Sequence, residues 1–150
     1  MHSGAGNPRI MQECIHRIGG VRLGGEIGVA LWGLGAMGNG MGRMILTKKG
    51  MRIVSAVAAT RTKSGRDLAQ VLGVDGRIGV LVGSDPDAEL SRQGAEVVLI
   101  STTSFTREVF PQVPQVKLAI EKGLDVITIA EEMAYPWVRE PDRSRASALR

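Results

Sequence analysis

Three glycines in the spacing Gly33-Leu-Gly35-Ala-Met-Gly38 are the residues of this 150-residue sequence best suited to hold a phosphate. Gly33 permits a tight turn, and Gly35 presents no side chain to an approaching pyrophosphate. Gly38 lets a following helix pack closely on the preceding strand. The backbone N–H groups of Ala36 and Met37 then open that helix facing the anion. Alone, the pattern is permissive, and a tight turn that binds nothing is the alternative. Its context carries the weight, because it follows a buried-strand pattern and opens a helical one.

A dinucleotide-binding unit usually places an acid about 20 residues beyond its last glycine, where it holds the adenosine ribose. Counting from Gly38 reaches Ala58, and Val57-Ala-Ala-Thr-Arg61-Thr-Lys63 contains no acid. Arg61 and Lys63 stand there instead, joined by the hydroxyls of Thr60 and Thr62. A carboxylate repels a 2′-phosphate, whereas arginine grips one bidentately. The reading is NADP(H) in preference to NAD(H), with an ordinary solvated basic loop as the alternative.

Two further groups of residues fall at the ends of expected strands. Ser101, Thr102 and Thr103, followed by Ser104 and Phe105, could line the second ribose and the nicotinamide; a helix N-cap by Thr103 or Ser104 is the other use of such hydroxyls. Ala130-Glu131-Glu132-Met133 places carboxylates at the end of a strand. Facing an apolar crevice, such a carboxyl is expected to titrate high and to exchange protons. Glu131 and Glu132 are therefore the catalytic candidates, Ala130 a cofactor contact, and no metal site is expected. Paired glutamates are otherwise common on surfaces.

The elements that must position these residues alternate in type. Apolar runs predict strands at Ile27–Trp32, Met51–Val57, Ile78–Val82, Glu96–Ser101 and Leu124–Ala130. Helical spacing and glycine stops predict helices at Met37–Lys49, Ser64–Leu72, Asp87–Gln93 and Pro114–Lys122, with Pro114 in a first turn. Gly83-Ser-Asp-Pro86 reads as a turn. This alternation describes an α/β fold, a Rossmann-type parallel sheet with helices on both faces. Residues 1–25 read as an irregular leader and 26–137 as the dinucleotide-binding domain. Residues 138–150 read as the start of a connection to a C-terminal substrate domain that the sequence lacks.

The net charge of +4 invites a nucleic-acid reading, but its placement argues against one. Residues 1–26 hold three Arg against two Glu, and residues 137–150 hold four Arg against one Glu and one Asp. That leaves 12 basic and 11 acidic residues between them, out of 19 and 15 in the whole chain. No apolar run approaches the roughly 20 residues of a membrane span. The single cysteine, Cys14, allows no internal disulfide and suits a reducing cytoplasm.

Several stretches together resemble a known family. Val29-Ala-Leu-Trp-Gly-Leu-Gly-Ala-Met-Gly38, Gly65-Arg-Asp-Leu68, Thr102-Thr-Ser-Phe-Thr106 and Val126-Ile-Thr-Ile-Ala-Glu-Glu-Met-Ala-Tyr-Pro-Trp137 look like the 2,4-diaminopentanoate dehydrogenase and native amine dehydrogenase family, within the wider dihydrodipicolinate-reductase-like group. The last stretch is far more specific than the glycine pattern. The resemblance implies an NAD(P)-dependent oxidoreductase that deaminates an amine or diamino acid, or aminates a carbonyl compound. It carries the phosphate turn to Gly33, Gly35 and Gly38, and the active-site glutamate to Glu131 or Glu132. Family members often place an acid in the Ala58–Lys63 stretch; its absence here favours NADP. The resemblance also implies a homodimer in the full-length form, held by a second domain that supplies most of the substrate pocket. Without that domain, little catalysis is expected from this chain alone. Two other readings share the fold: a non-catalytic dinucleotide-sensing module, and a related imine or semialdehyde reductase.

Overall fold

A computed structural model describes residues 25–102 and 112–134. Five strands form one sheet: β1 (Ile27–Trp32), β2 (Met51–Val57), β3 (Val82–Gly83), β4 (Val97–Ile100) and β5 (Asp125–Thr128). All four pairings are parallel, in the order β3-β2-β1-β4-β5. Four helices lie between them: α1 (Ala36–Thr47), α2 (Leu68–Leu72), α3 (Pro86–Leu90) and α4 (Gln112–Glu121).

The side chains of β1 explain why helices cover both faces. Successive residues of a strand point to opposite sides. Val29 and Leu31 join a cluster with Ile45 of α1 and Leu68 and Leu72 of α2. Ala30 and Trp32 join a second cluster with Leu90 of α3 and Ala119 of α4. The register of β2 slips by one residue where Val29 pairs with Ile53 but Ala30 pairs with Ser55. That bulge lets Ile53 and Ala56 share one face despite their odd spacing. The expected Rossmann-type sheet is therefore the observed one. Beyond β1 the chain builds outward through β2 and β3, then crosses to β4 and β5. The strand order reverses between β1 and β4, the place where open α/β sheets form their ligand crevice.

Several boundaries differ from the sequence expectation, each for a local reason. Helix α1 ends at Thr47 rather than Lys49: the Thr47 hydroxyl donates to the Met44 carbonyl at 2.8 Å, and Lys48 is already extended. Helix α2 starts at Leu68 rather than Ser64, because residues 65–68 pair with residues 80–82 instead. Gly65 N–H donates to Val82 O at 2.8 Å, Val82 N–H to Arg66 O at 2.9 Å, and Leu68 N–H to Val80 O at 2.8 Å. The expected strand Ile78–Val82 consequently enters the sheet only at Val82–Gly83. Pro86 begins α3 under an N-cap by Asp85, so the expected turn is shorter and the helix earlier. Strand β4 loses one residue at each end. Strand β5 ends at Thr128, two residues before Ala130. Pro114 lies inside α4 as its third residue rather than at its start. Most of the expected leader and residues 138–150 lie outside the described residues. No helix among the described residues is long and apolar enough to cross a membrane.

Asp67 organises the excursion between β2 and β3. Its carboxylate accepts from Ala69 N–H at 2.9 Å, Ile78 N–H at 3.1 Å and Gly79 N–H at 2.9 Å. Arg77 lies 3.5 Å away. These backbone donors, the Ala69 amide foremost, hold the carboxyl below its ordinary value of 3.8, against an opposing effect of desolvation. A carboxyl whose folded pKa is depressed adds stability above its unfolded value and loses it as pH falls through the folded one. We expect Asp67→Ala to lower the melting temperature at neutral pH. Its stability should also fall less steeply than the wild type's on acidification below about pH 4, in a calorimetric pH series.

Candidate functional site

The three glycines of the turn after β1 answer to three different constraints. Gly33 has φ +100° and lies flat against the end of β4: a Cβ there would meet Ser101 C at 2.7 Å and Thr102 N at 2.8 Å. A Cβ on Gly38 would lie 1.9 Å from Gly33 O and 2.6 Å from Ser101 Oγ. Gly35 is the reverse case, with nothing within 4 Å of where its Cβ would stand. It is the N-cap of α1, with extended backbone and no side-chain cap. The first helical bond runs from Asn39 N–H to Gly35 O at 2.9 Å, which leaves the amides of Ala36, Met37 and Gly38 without helical acceptors. Ala36 and Met37 are exposed. Gly42, one turn on, went unnoticed in the sequence; its Cβ would meet Leu72 Cδ2 at 2.9 Å, so it sets how closely α1 packs on α2. The Gly38-x-x-x-Gly42 spacing was the available signal.

The loop after β2 comes to the same edge. Ala58 is buried and continues the sheet register, donating to Gly83 O at 3.0 Å. Thr60, Arg61 and Thr62 are exposed in the turn that follows. Arg61 has no hydrogen bond or ion pair among the described residues. Lys63 is half-buried and folds back, its Nζ donating to the carbonyl oxygen of Leu34 inside the glycine turn. The structure thus joins Thr60–Lys63 to the phosphate turn, with Arg61 at the tip and Lys63 at the root.

The ends of β4 and β5 depart further from expectation. Ser101 is buried, and its hydroxyl donates to Gly33 O at 2.8 Å, so its side chain turns inward to hold the glycine turn. Thr102 is exposed and belongs to a chain of hydrogen bonds that runs across the sheet edge. Ala130 N–H donates to Thr128 Oγ1 at 3.1 Å, and that hydroxyl donates to Gln112 Oε1 at 2.6 Å. Gln112 Nε2 donates to Thr102 Oγ1 at 3.4 Å, which donates to Gln115 Oε1 at 2.7 Å. Gln112 is fully buried at the start of α4; nothing in its sequence position announced it. Ala130 is buried, and Glu131 opens a single 3₁₀ turn, Glu131–Ala134. Among the described residues, Glu131 is exposed beside a shallow depression lined by Thr128, Ile129, Ala130 and Met133. Thr103, Ser104 and Phe105 lie outside the described residues, and the side chain of Glu132 is not described. Among the described residues, no group of three or more His, Cys, Asp or Glu could hold a metal ion.

With this geometry in place, comparison with known proteins is informative. No protein-family model matches the chain. Over 121 residues it is 38% identical to 2,4-diaminopentanoate dehydrogenase from Acetoanaerobium sticklandii, covering 80% of this chain and 33% of that protein. The solved amine dehydrogenase from Mycobacterium smegmatis superposes with a TM-score of 0.73 at 32% identity, covering 80% of this chain and 34% of that one. The chain is similar to one third of an amine dehydrogenase. The resemblance carried by the sequence motifs is therefore borne out. GenD2 from gentamicin A biosynthesis, solved in complex with NAD, shares the fold with a TM-score of 0.53 at 23% identity over 73% of this chain and 28% of its own.

Two outcomes are expected from substitution at the site. Gly38→Ala forces a methyl into the Gly33 carbonyl and should cost about 1–3 kcal/mol or more, whereas Gly35→Ala enters open space and should leave thermal unfolding almost unchanged. Gln112→Leu removes a buried amide and leaves the half-buried Thr128 hydroxyl without its acceptor, and should cost about 0.5–1.5 kcal/mol in denaturant unfolding.

Proposed function

We propose that this chain binds a nicotinamide dinucleotide across the carboxyl edge of its sheet, as the cofactor-binding part of an NAD(P)-dependent amine dehydrogenase. The observation that carries this reading is the space over Gly35. Gly33 and Gly38 are glycines because the fold fills the places of their side chains, whereas Gly35 faces emptiness at an uncapped helix start. A helix start with free amides and room before it fits a pyrophosphate. Gly33, Gly35, Ala36, Met37 and Gly38 would form that cradle.

NADP(H) is the preferred cofactor on this reading, with NAD(H) second. Arg61 stands exposed in the loop after β2, where a 2′-phosphate would lie, and among the described residues no carboxylate pairs with it. Thr60 and Thr62 offer hydroxyls to the same phosphate. Thr102 and Thr103 would face the nicotinamide half, while Ser101 acts from beneath by holding the turn. The nicotinamide supplies the hydride acceptor or donor. The carboxylates of Glu131 and Glu132 would hold the amine or ammonia and take up or return its proton. Ala130, buried ahead of them, would border the ring.

The chain spans about one third of the length of the relatives it matches. Oxidative deamination of a small amine or diamino acid, and its reverse, is accordingly proposed for the longer protein. The remaining length would close the substrate pocket and make a homodimer, working in the cytoplasm.

Calorimetric titration of the chain with NADPH and then NADH tests the reading. NADPH should bind more tightly, and Arg61→Ala should remove about tenfold or more of that preference, the worth of one hydrogen bond to a charged group. Gly35→Ala should weaken both cofactors while the protein stays folded. A folded chain that binds neither would overturn the proposal; a preference for NADH would overturn only the role of Arg61.

A further inference from the structure

We infer that Lys63 is a positioning residue for the pyrophosphate, acting through the Leu34–Gly35 peptide, and that it governs affinity for both cofactors without discriminating between them. Sequence spacing groups Lys63 with Arg61 as a second cation for the 2′-phosphate. The fold separates them. Arg61 sits at the exposed tip of the loop, whereas the Lys63 side chain turns back and donates its Nζ to Leu34 O.

The consequence follows from the planarity of the peptide bond. The carbonyl of Leu34 and the N–H of Gly35 belong to one rigid trans unit and point in opposite directions. An ammonium that holds the Leu34 oxygen therefore also aims the Gly35 N–H. Among the described residues that amide makes no backbone hydrogen bond, and it lies beside the open space described above. Leu34 is held on its other side by its own buried side chain in the apolar cluster beneath α1. Its carbonyl thus cannot drift without the turn moving too. The backbone of Lys63 contributes as well: its N–H donates to Thr60 O at 3.0 Å and closes the turn that displays Arg61. Lys63 also leaves one unit of positive charge beside the turn, next to the part of the dinucleotide that NADPH and NADH have in common.

This inference rests on the dinucleotide reading above, and its test separates the two. In Lys63→Met, titration with NADPH and with NADH should show affinity falling for both by a similar factor, about tenfold. The ratio between them should stay at the wild-type value, in contrast to Arg61→Ala. In the ligand-free protein, the Gly35 amide resonance should shift in Lys63→Met while amides of β5 stay in place. Loss of NADPH affinity alone would make Lys63 a direct 2′-phosphate ligand and overturn the inference. An unmoved Gly35 amide would overturn it too, even for a chain whose wild type binds neither cofactor. That last failure of binding would count against the dinucleotide reading itself.

Discussion

The backbone of the turn after β1 lies tightly against the end of β4, and the rest of the site depends on that contact. Gly33 lies flat on the Ser101–Thr102 peptide, Ser101 Oγ reaches up to Gly33 O, and Gly38 closes over the same oxygen. Three segments share a space that admits no β-carbon at either glycine. Because β1 and β4 are hydrogen-bonded neighbours, this contact fixes where α1 begins relative to the sheet. The direction of the free amides at its start follows. A phosphate cradle made of backbone has no side chains to adjust, so its shape must come from packing of this kind.

Around that contact the polar groups divide by task. Several of those buried or half-buried in the fold are satisfied by one another, although Ser55 Oγ and Asn39 Oδ1 find no partner among the described residues. Asp67 gathers three amides, Glu89 beneath Gly83 is gripped by two nitrogens of Arg92, and Gln112 bridges the ends of β4 and β5. Burying such groups without partners would be costly, and each pairing also ties two loops together. Among the described residues, those left unengaged at the carboxyl edge include the first amides of α1, the side chains of Arg61 and its neighbouring threonines, and Glu131. Groups without internal partners at the mouth of a crevice are the ones free to meet a ligand.

The chain matches about a third of its relatives' length, and that third holds the sheet, the glycine turn and the loop after β2. Among the described residues, Glu131 stands exposed beyond the end of β5. Strand β5 and its 3₁₀ turn form the floor of the shallow depression beside it.

Sequence alone determined the strands β1 and β2 to the residue, because a short, largely apolar run beside a glycine has few other uses. It also determined the class of fold, the glycine turn and the resemblance borne by Val126–Trp137. These are local signals, set by residue type and short spacing. It did not show that Gly65–Leu68 and Val80–Val82 would pair with each other, because the apolar run at Ile78–Val82 reads the same whichever neighbour it finds. Nor could it show that Ser101 turns inward, that Lys63 folds onto Leu34, or that Gln112 is the buried link between two strand ends. Those assignments join residues 10 to 68 positions apart. Only the folded sheet brings them within hydrogen-bonding distance and decides which polar groups face one another and which face outward.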